Sequence, residues 1–243
     1  MSMASLPDGY RAAVFGASGG IGAAFVAQLV ADPRCALVYA GARSGQSCDN
    51  DRITPFAFDL TDEDTIRHAA ETVGAPDLVL VATGILHTDG LQPEKTLRSV
   101  EPDAMARAFA VNATGPALIA RHIVPRLPRG RRTLFAALSA KVGSISDNRL
   151  GGWHSYRASK AALNQLIRTI SVELARTHPA SVCVALHPGT VDTALSKPFQ
   201  GGVSPERLFT PQLAASQLLA VLDGLGPESS GRLIGWDGQE ISP

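Results

Sequence analysis

The sequence predicts an α/β fold: a single domain, 1–243, with a doubly wound, mostly parallel seven-stranded sheet and helices on both faces. Three observations carry this. Short continuous apolar runs, of the kind buried on both faces of a parallel sheet, recur along the chain. Segments with helical periodicity separate them. No repeat, low-complexity tract or linker divides the 243 residues, a length at which one α/β domain builds a sizeable core.

The elements follow in order. Residues 11–15 predict the first strand and 21–31 the first helix. Residues 36–40 and 54–58 read as the second and third strands. A helix over 61–73 is opened by Thr61, with Asp62, Glu63 and Asp64 in a first turn where acidic groups suit the helix dipole. Residues 78–82 form a buried strand, 104–121 a long helix, 133–138 a strand and 156–176 a second long helix. Strand 181–186, helix 211–225 and a short strand at 232–235 close the pattern. Residues 1–9 are expected as a flexible polar tail. Two connections, 143–155 and 194–211, are long, and both follow strands on the carboxyl edge where open α/β sheets bind ligands.

Composition removes several function classes. With 22 basic and 22 acidic residues there is no basic field to attract nucleic acid or an anionic membrane surface. The basic cluster at 126–132 reads as a solvated turn. Cys35, Cys48 and Cys183 are scattered, which supports neither a disulfide framework nor a zinc site and fits a reducing compartment. Residues 1–9 lack a signal-peptide layout, and no apolar run reaches membrane-spanning length. The expectation is a cytoplasmic protein whose partner is a small molecule, not nucleic acid or a membrane.

Gly16-Ala17-Ser18-Gly19-Gly20-Ile21-Gly22 joins the first strand to the first helix. Glycines there permit a tight turn, and they let backbone amides and a helix N-terminus approach a pyrophosphate. A dinucleotide cofactor is the expectation. After the second strand no acidic residue is placed to accept from ribose hydroxyls, whereas Arg43 could pair with a 2′-phosphate. This favours NADP(H) over NAD(H); the bland alternative is a surface arginine. Tyr156 and Lys160 stand four apart at the start of a helix, so they share a face. An ammonium beside a phenol lowers its pKa and makes tyrosine a usable acid or base.

With both ends in view, residues 10–240 resemble the short-chain dehydrogenase/reductase family. The likeness is closest to its C-factor-like and sniffer-type carbonyl reductase branch. The glycine spacing, Gly143-Ser144-Ile145, the extended loop to Gly151-Gly152, and Tyr156 to Asn164 carry it. The resemblance implies a Rossmann fold and hydride exchange between a nicotinamide and a carbonyl or alcohol. Tyr156 would be the general acid or base, and Lys160 would hold the nicotinamide ribose and tune the tyrosine. Asn112 would link the lysine to a proton relay; otherwise it is a solvent-facing asparagine. Asp59 and Leu60 would contact adenine, although Asp59 could equally cap the next helix. In the turn Pro188-Gly189-Thr190-Val191-Asp192-Thr193, Thr193 would bond the carboxamide, and the 194–211 region would close over substrate. Homodimers or homotetramers through the two long helices are the family habit.

Some positions depart from the family pattern. The motif after the fourth strand is Val81-Ala82-Thr83-Gly84, retaining only Gly84 for close backbone approach, and Phe15 stands where many relatives carry threonine. Ala140 falls where the carbonyl-binding serine normally lies; Ser139, Ser144 or neither fills that role. His187 reads as structural or as an acid/base. Substrate-lining candidates are Leu86, His87, Trp153, His154, Leu195, Pro198 and Phe199, which suit a modest hydrophobic carbonyl compound. Besides an NADP(H)-dependent oxidoreductase, the sequence allows a cofactor-binding signalling or scaffold protein with little turnover. An epimerase or dehydratase is weaker, since such proteins usually carry a larger substrate domain than the stretch after His187 provides.

Overall fold

The structure, a computed structural model, describes residues 2–45, 48–88 and 90–243. Strand β1 (Tyr10–Phe15) leads through helix α1 (Gly20–Ala31) to β2 (Cys35–Ala42) and β3 (Ile53–Ala57). Helix α2 (Glu63–Val73), β4 (Leu78–Val81), α3 (Pro102–Phe109), α4 (Gly115–Ile123) and β5 (Leu134–Leu138) follow. Next come α5 (His154–Thr177), β6 (Val182–His187), β7 (Thr190–Val191), β8 (Leu208–Phe209), α6 (Pro211–Gly224), β9 (Leu233–Gly235) and β10 (Glu240–Ile241).

The main sheet runs in the order β10-β9-β6-β5-β4-β1-β2-β3. It has eight strands where seven were expected. The addition is β10, two residues antiparallel to β9 and too short for any sequence period to announce. All other ladders in this sheet are parallel. A separate parallel ribbon of β7 and β8 brackets the 194–211 region. Chain direction reverses its lateral progress between β1 and β4, and the strand ends open into a crevice there, as in Rossmann folds generally.

Two apolar layers hold the sheet. On one face Phe15, Phe56 and Phe58 pack edge to face beneath Ile66, Ile119, Ile123 and Ile167 from α2, α4 and α5. On the other, Phe25 and Leu29 of α1 meet Leu218 and Leu222 of α6 over Val14 and Leu80. The segment expected as a tail packs onto this second layer. Met3 and Leu6 are buried there, and the buried Asp32 carboxylate accepts from Met3 N (2.9 Å), Ser2 Oγ (3.1 Å) and Tyr10 Oη (2.9 Å). Scattered apolar residues in so short a segment give no clear period, so only tertiary contact reveals the docking.

Helix α2 is capped by Asp62, whose carboxylate accepts from Asp64 N at 3.1 Å, so the expected cap at Thr61 lies one residue early. The long helix expected over 104–121 is α3 and α4 joined by a π turn at Ala110–Thr114. Such turns insert one extra residue into regular winding. Asn112 sits within it, fully buried, which replaces the solvent-facing alternative. Among the described residues no helix is long and apolar enough to cross a membrane.

The glycine turn has almost no slack. A Cβ on Gly22 would lie 2.1 Å from the Gly16 carbonyl oxygen and 2.8 Å from its carbon. Because the obstacle is backbone, Gly22→Ala is expected to cost about 1–3 kcal/mol, read as a lower urea midpoint with unchanged slope.

Candidate active site

The crevice begins at the glycine turn. Gly16 adopts φ +94°, and a Cβ there would press on Ala82 at 3.0 Å. Gly19 at the cap position of α1 offers no side chain, so the amides of the first helical turn face the crevice unobstructed. A cavity of about 530 Å³ is lined by Gly16, Ser18, Gly19, Arg43, Asp59, Leu60, and the Thr83–Gly84 backbone bend. It shares Ser18, Gly19, Arg43 and Gly84 with a second cavity of about 470 Å³, which reaches Ser139, Tyr156, Lys160, Pro188 and Thr193. Ile21 and Gly20 line this second part, and Thr193 packs within 2.8 Å of where a Cβ on Gly20 would sit. One continuous trough therefore joins the glycine turn to the tyrosine.

Several details fit a dinucleotide. Thr83 Oγ1 is buried in the trough wall with no hydrogen-bond partner, an orphaned donor where a ligand would lie. Arg43 stands at the expected end, and Arg107, which the sequence did not single out, lines the same cavity. The available signal was position: Arg107 lies one helical turn before Val111, which lines the same cavity. The Asp59 carboxylate accepts from Thr61 N (2.8 Å) and Oγ1 (2.6 Å). Those bonds from Thr61, with the Arg43 charge nearby, hold its pKa below the usual carboxylate range. It braces the loop, and capping of α2 falls to Asp62.

At the other end Tyr156 and Lys160 occupy the first two turns of α5, both buried. Lys160 Nζ donates to Leu138 O at 2.9 Å and stands 5.9 Å from the centre of the Tyr156 ring. Burial pushes the phenol up to about 12 and the ammonium down to about 8. Desolvation thus outweighs the charge effect expected from sequence. Asn112 Oδ1 and Lys160 Nζ converge on Gly84, lying 3.4 and 3.5 Å from where its Cβ would be. Asn112 clasps the Ile85 backbone through both its amide atoms (2.8 and 2.9 Å) and donates to Ser159 Oγ at 3.1 Å. Ser159 in turn donates to the Tyr156 carbonyl at 2.8 Å, so the π turn is bonded to the first turn of α5.

The serine alternatives separate. Ser144 Oγ donates to Ser242 O at 2.5 Å and faces a different cavity, of about 690 Å³. Ser139 lines the trough, with its hydroxyl donating to Asn164 Oδ1 at 2.7 Å. Four other expected residues lie off the trough wall. Gly22 sits beneath the Gly16 carbonyl, and Asn112 stands behind the wall. Val191 is buried against Phe209, while Gly189 faces the larger cavity beyond the turn. His187 faces that cavity too, pushed down to about 4 by burial and by Lys141 against the opposing pull of Asp237. That places it off the trough and leaves its structural reading.

An aromatic row closes the substrate end. The Trp153 ring meets Tyr156 (6.1 Å between centres) and Phe199 (5.0 Å), and Phe199 meets His87 (5.6 Å). His87 Nε2 bonds Ala194 O at 3.1 Å, tying the loop after β4 to the 194–211 region.

The profile of the family described as short chain dehydrogenase matches residues 11–202. The chain belongs to the short-chain dehydrogenase/reductase family. Its members are oxidoreductases built on this sheet. Among curated relatives, C-signal of Myxococcus xanthus is 36% identical over 60% of this chain and 82% of its own. The 1-hydroxy-2-glutathionyl-2-methyl-3-butene dehydrogenase of Rhodococcus sp. (strain AD45) is 32% identical, over 74% of this chain and 76% of its own. A solved structure, NADPH-bound carbonyl reductase from chicken fatty liver, superposes with a TM-score of 0.84 at 25% identity, covering 98% of this chain and 96% of that one.

Proposed function

We propose that this protein is an NADP(H)-dependent oxidoreductase that interconverts a carbonyl compound and an alcohol. The observation that carries the reading is the single trough running from the glycine turn and Arg43 to Tyr156 and Lys160. The bound cofactor supplies or accepts the hydride. Amides of the first turn of α1 and the Ser18 hydroxyl hold its pyrophosphate. Arg43 would pair the 2′-phosphate, with Arg107 a second cation in the same cavity; Asp59 and Leu60 would border the adenine, and Thr193 would meet the carboxamide. Lys160 Nζ binds the ribose.

Tyr156 Oη donates a proton to the substrate oxygen in reduction and takes it back in oxidation. A phenol held near 12 remains protonated across physiological pH, which suits the reductive direction. Ser139, in the same wall, is the available hydroxyl for the carbonyl oxygen, and reaching it requires sharing its bond to Asn164. Leu86, His87, Trp153, Leu195 and Phe199 supply an apolar and aromatic rim, so the substrate class is a modest hydrophobic aldehyde or ketone. Self-association through α4 and α5 belongs to the same proposal: a groove between them is lined by Ala117, Val124, Leu166 and Ile170.

The test is NADPH oxidation over a panel of aldehydes and ketones. Turnover with at least one of them is expected, with NADPH preferred over NADH. Tight NADPH binding without turnover on any of them would favour the signalling or scaffold reading instead. Arg43→Ala is expected to weaken NADPH by about 1.5–3 kcal/mol, the range for a bond to a charged group, while NADH affinity holds. Fluorescence titration of both cofactors measures it.

A further inference from the structure

We propose that Glu94 is a positioning residue for Tyr156, capping the catalytic helix from a distant loop and fixing the Trp153–Tyr156 segment; this rests on the catalytic reading of Tyr156 above.

A helix begins with amides that have no partner inside it. Ordinarily a Ser, Thr, Asp or Asn at the cap position satisfies one of them. At α5 the cap position is Trp153, which makes no side-chain cap bond and adopts φ 52° and ψ 43°. It is the one non-glycine residue with positive φ among the described residues. Glu94 supplies what is missing from 61 positions away. Its carboxylate oxygens accept from Ser155 N at 3.2 and 3.3 Å and take a short bond from Ser155 Oγ. Its backbone carbonyl accepts from Trp153 N at 2.5 Å.

The residue is built into the site. Glu94 is 4% exposed, and burial alone would raise its pKa. The bonds from Ser155 outweigh that and hold it below the usual range, so the charge persists at the positive end of the helix. Gly151 and Gly152 have φ of +64° and +65°, and a Cβ on Gly152 would come within 3.3 Å of the Glu94 carbonyl. Three consecutive left-handed residues therefore lead into the helix, the last two of them against the Glu94 backbone carbonyl, and the Glu94 side chain then takes Ser155. What they deliver is the Trp153 ring, set against both Tyr156 and Phe199. Glu94 thereby governs two things at once: the first turn that carries Tyr156, and the aromatic rim that meets substrate.

The experiment compares Glu94→Ala, Glu94→Gln and Ser155→Ala by carbonyl-dependent turnover, NADPH titration and thermal melting. The same substitutions are made in a Trp236→Phe background, which leaves Trp153 as the one tryptophan of the two in the chain. Glu94→Ala is expected to lower kcat by about tenfold or more, since small misplacements of reacting groups cost that much. NADPH affinity stays within about twofold, and Trp153 emission shifts to the red. Glu94→Gln, whose amide oxygen still accepts from Ser155 N, recovers part of both changes. Glu94→Ala combined with Ser155→Ala loses no more than Glu94→Ala alone, as expected for groups acting as a unit. Lower melting with wild-type kcat and unshifted emission overturns the proposal, as do fully additive losses. Should Glu94→Ala not fold, Glu94→Gln and Ser155→Ala decide by the same readouts. Wild-type protein without carbonyl turnover would sink the catalytic reading, whereas Trp153 emission still reports on the positioning by Glu94.

Discussion

Tyr156→Phe is expected to lower kcat by about 10²–10⁴-fold, the range spanned by a single positioned acid or base, while NADPH binds as before. The substitution removes one hydroxyl and nothing else. Ring contacts with Trp153 persist, as does the Lys160 ammonium 5.9 Å from the ring centre. Burial of the phenol raises its pKa to about 12, so its ionised form is scarce at neutral pH. Loss of activity in the Phe variant therefore reports loss of a proton donor. Paired measurements of turnover and cofactor titration check it, and equal turnover by the variant would remove Tyr156 from the chemistry.

Lys160→Met is expected to abolish turnover and to stabilise the fold. Lys160 is 3% exposed, and burial lowers its pKa from 10.5 to about 8. Below pH 8 the group is protonated in both folded and unfolded chains, and the folded state bears the cost of a buried charge. Between pH 8 and 10 the unfolded chain holds more protons on this group, so the contribution of Lys160 to stability rises with pH through that window. The raised Tyr156 phenol and Cys183 thiol pull the other way toward pH 10, but both are common to the two proteins, so the difference between wild type and the Met variant isolates Lys160. The Met variant should show neither the pH-dependent gain nor the initial penalty. Its advantage at neutral pH should be about 1–3 kcal/mol, with the bond to Leu138 O as the offsetting loss. Urea unfolding at pH 7 and pH 10 measures both. On the proposed reading, Lys160 is kept at a cost to its own fold, the usual compromise of an active site.

Sequence pattern reached the strands, the helices and most of the trough because these depend on local signals. Continuous apolar runs report a parallel sheet, and the glycine turn reports close backbone approach. What escaped depends on distance in the chain. Strand β10 is two residues long, and its existence is decided by β9 beside it. Met3 and Leu6 dock only because Asp32 stands ready to receive the backbone near them. Arg107 reads as an ordinary helix-surface residue until α3 is laid against the crevice. Counting residues back from Tyr156 points to Ser144 and adjacency to Ala140 points to Ser139, whereas the bond from Ser144 to Ser242 separates them at once. The electrostatics were the least legible part. Spacing shows that a lysine neighbours a tyrosine, but not that both are sunk deeply enough for desolvation to dominate.

The π turn at Ala110–Thr114 carries one residue more than regular winding needs. It thereby sets the rotational phase between α3, which bears Arg107, and α4, which packs under the sheet. The wide turn absorbs that residue locally, whereas winding the same residues at regular pitch would turn one half against the other by about 100°. Arg107 could then no longer line the crevice while Ile119 and Ile123 of α4 pack beneath the sheet. One widened turn is thus what lets a single run of helix serve the crevice at one end and the core at the other.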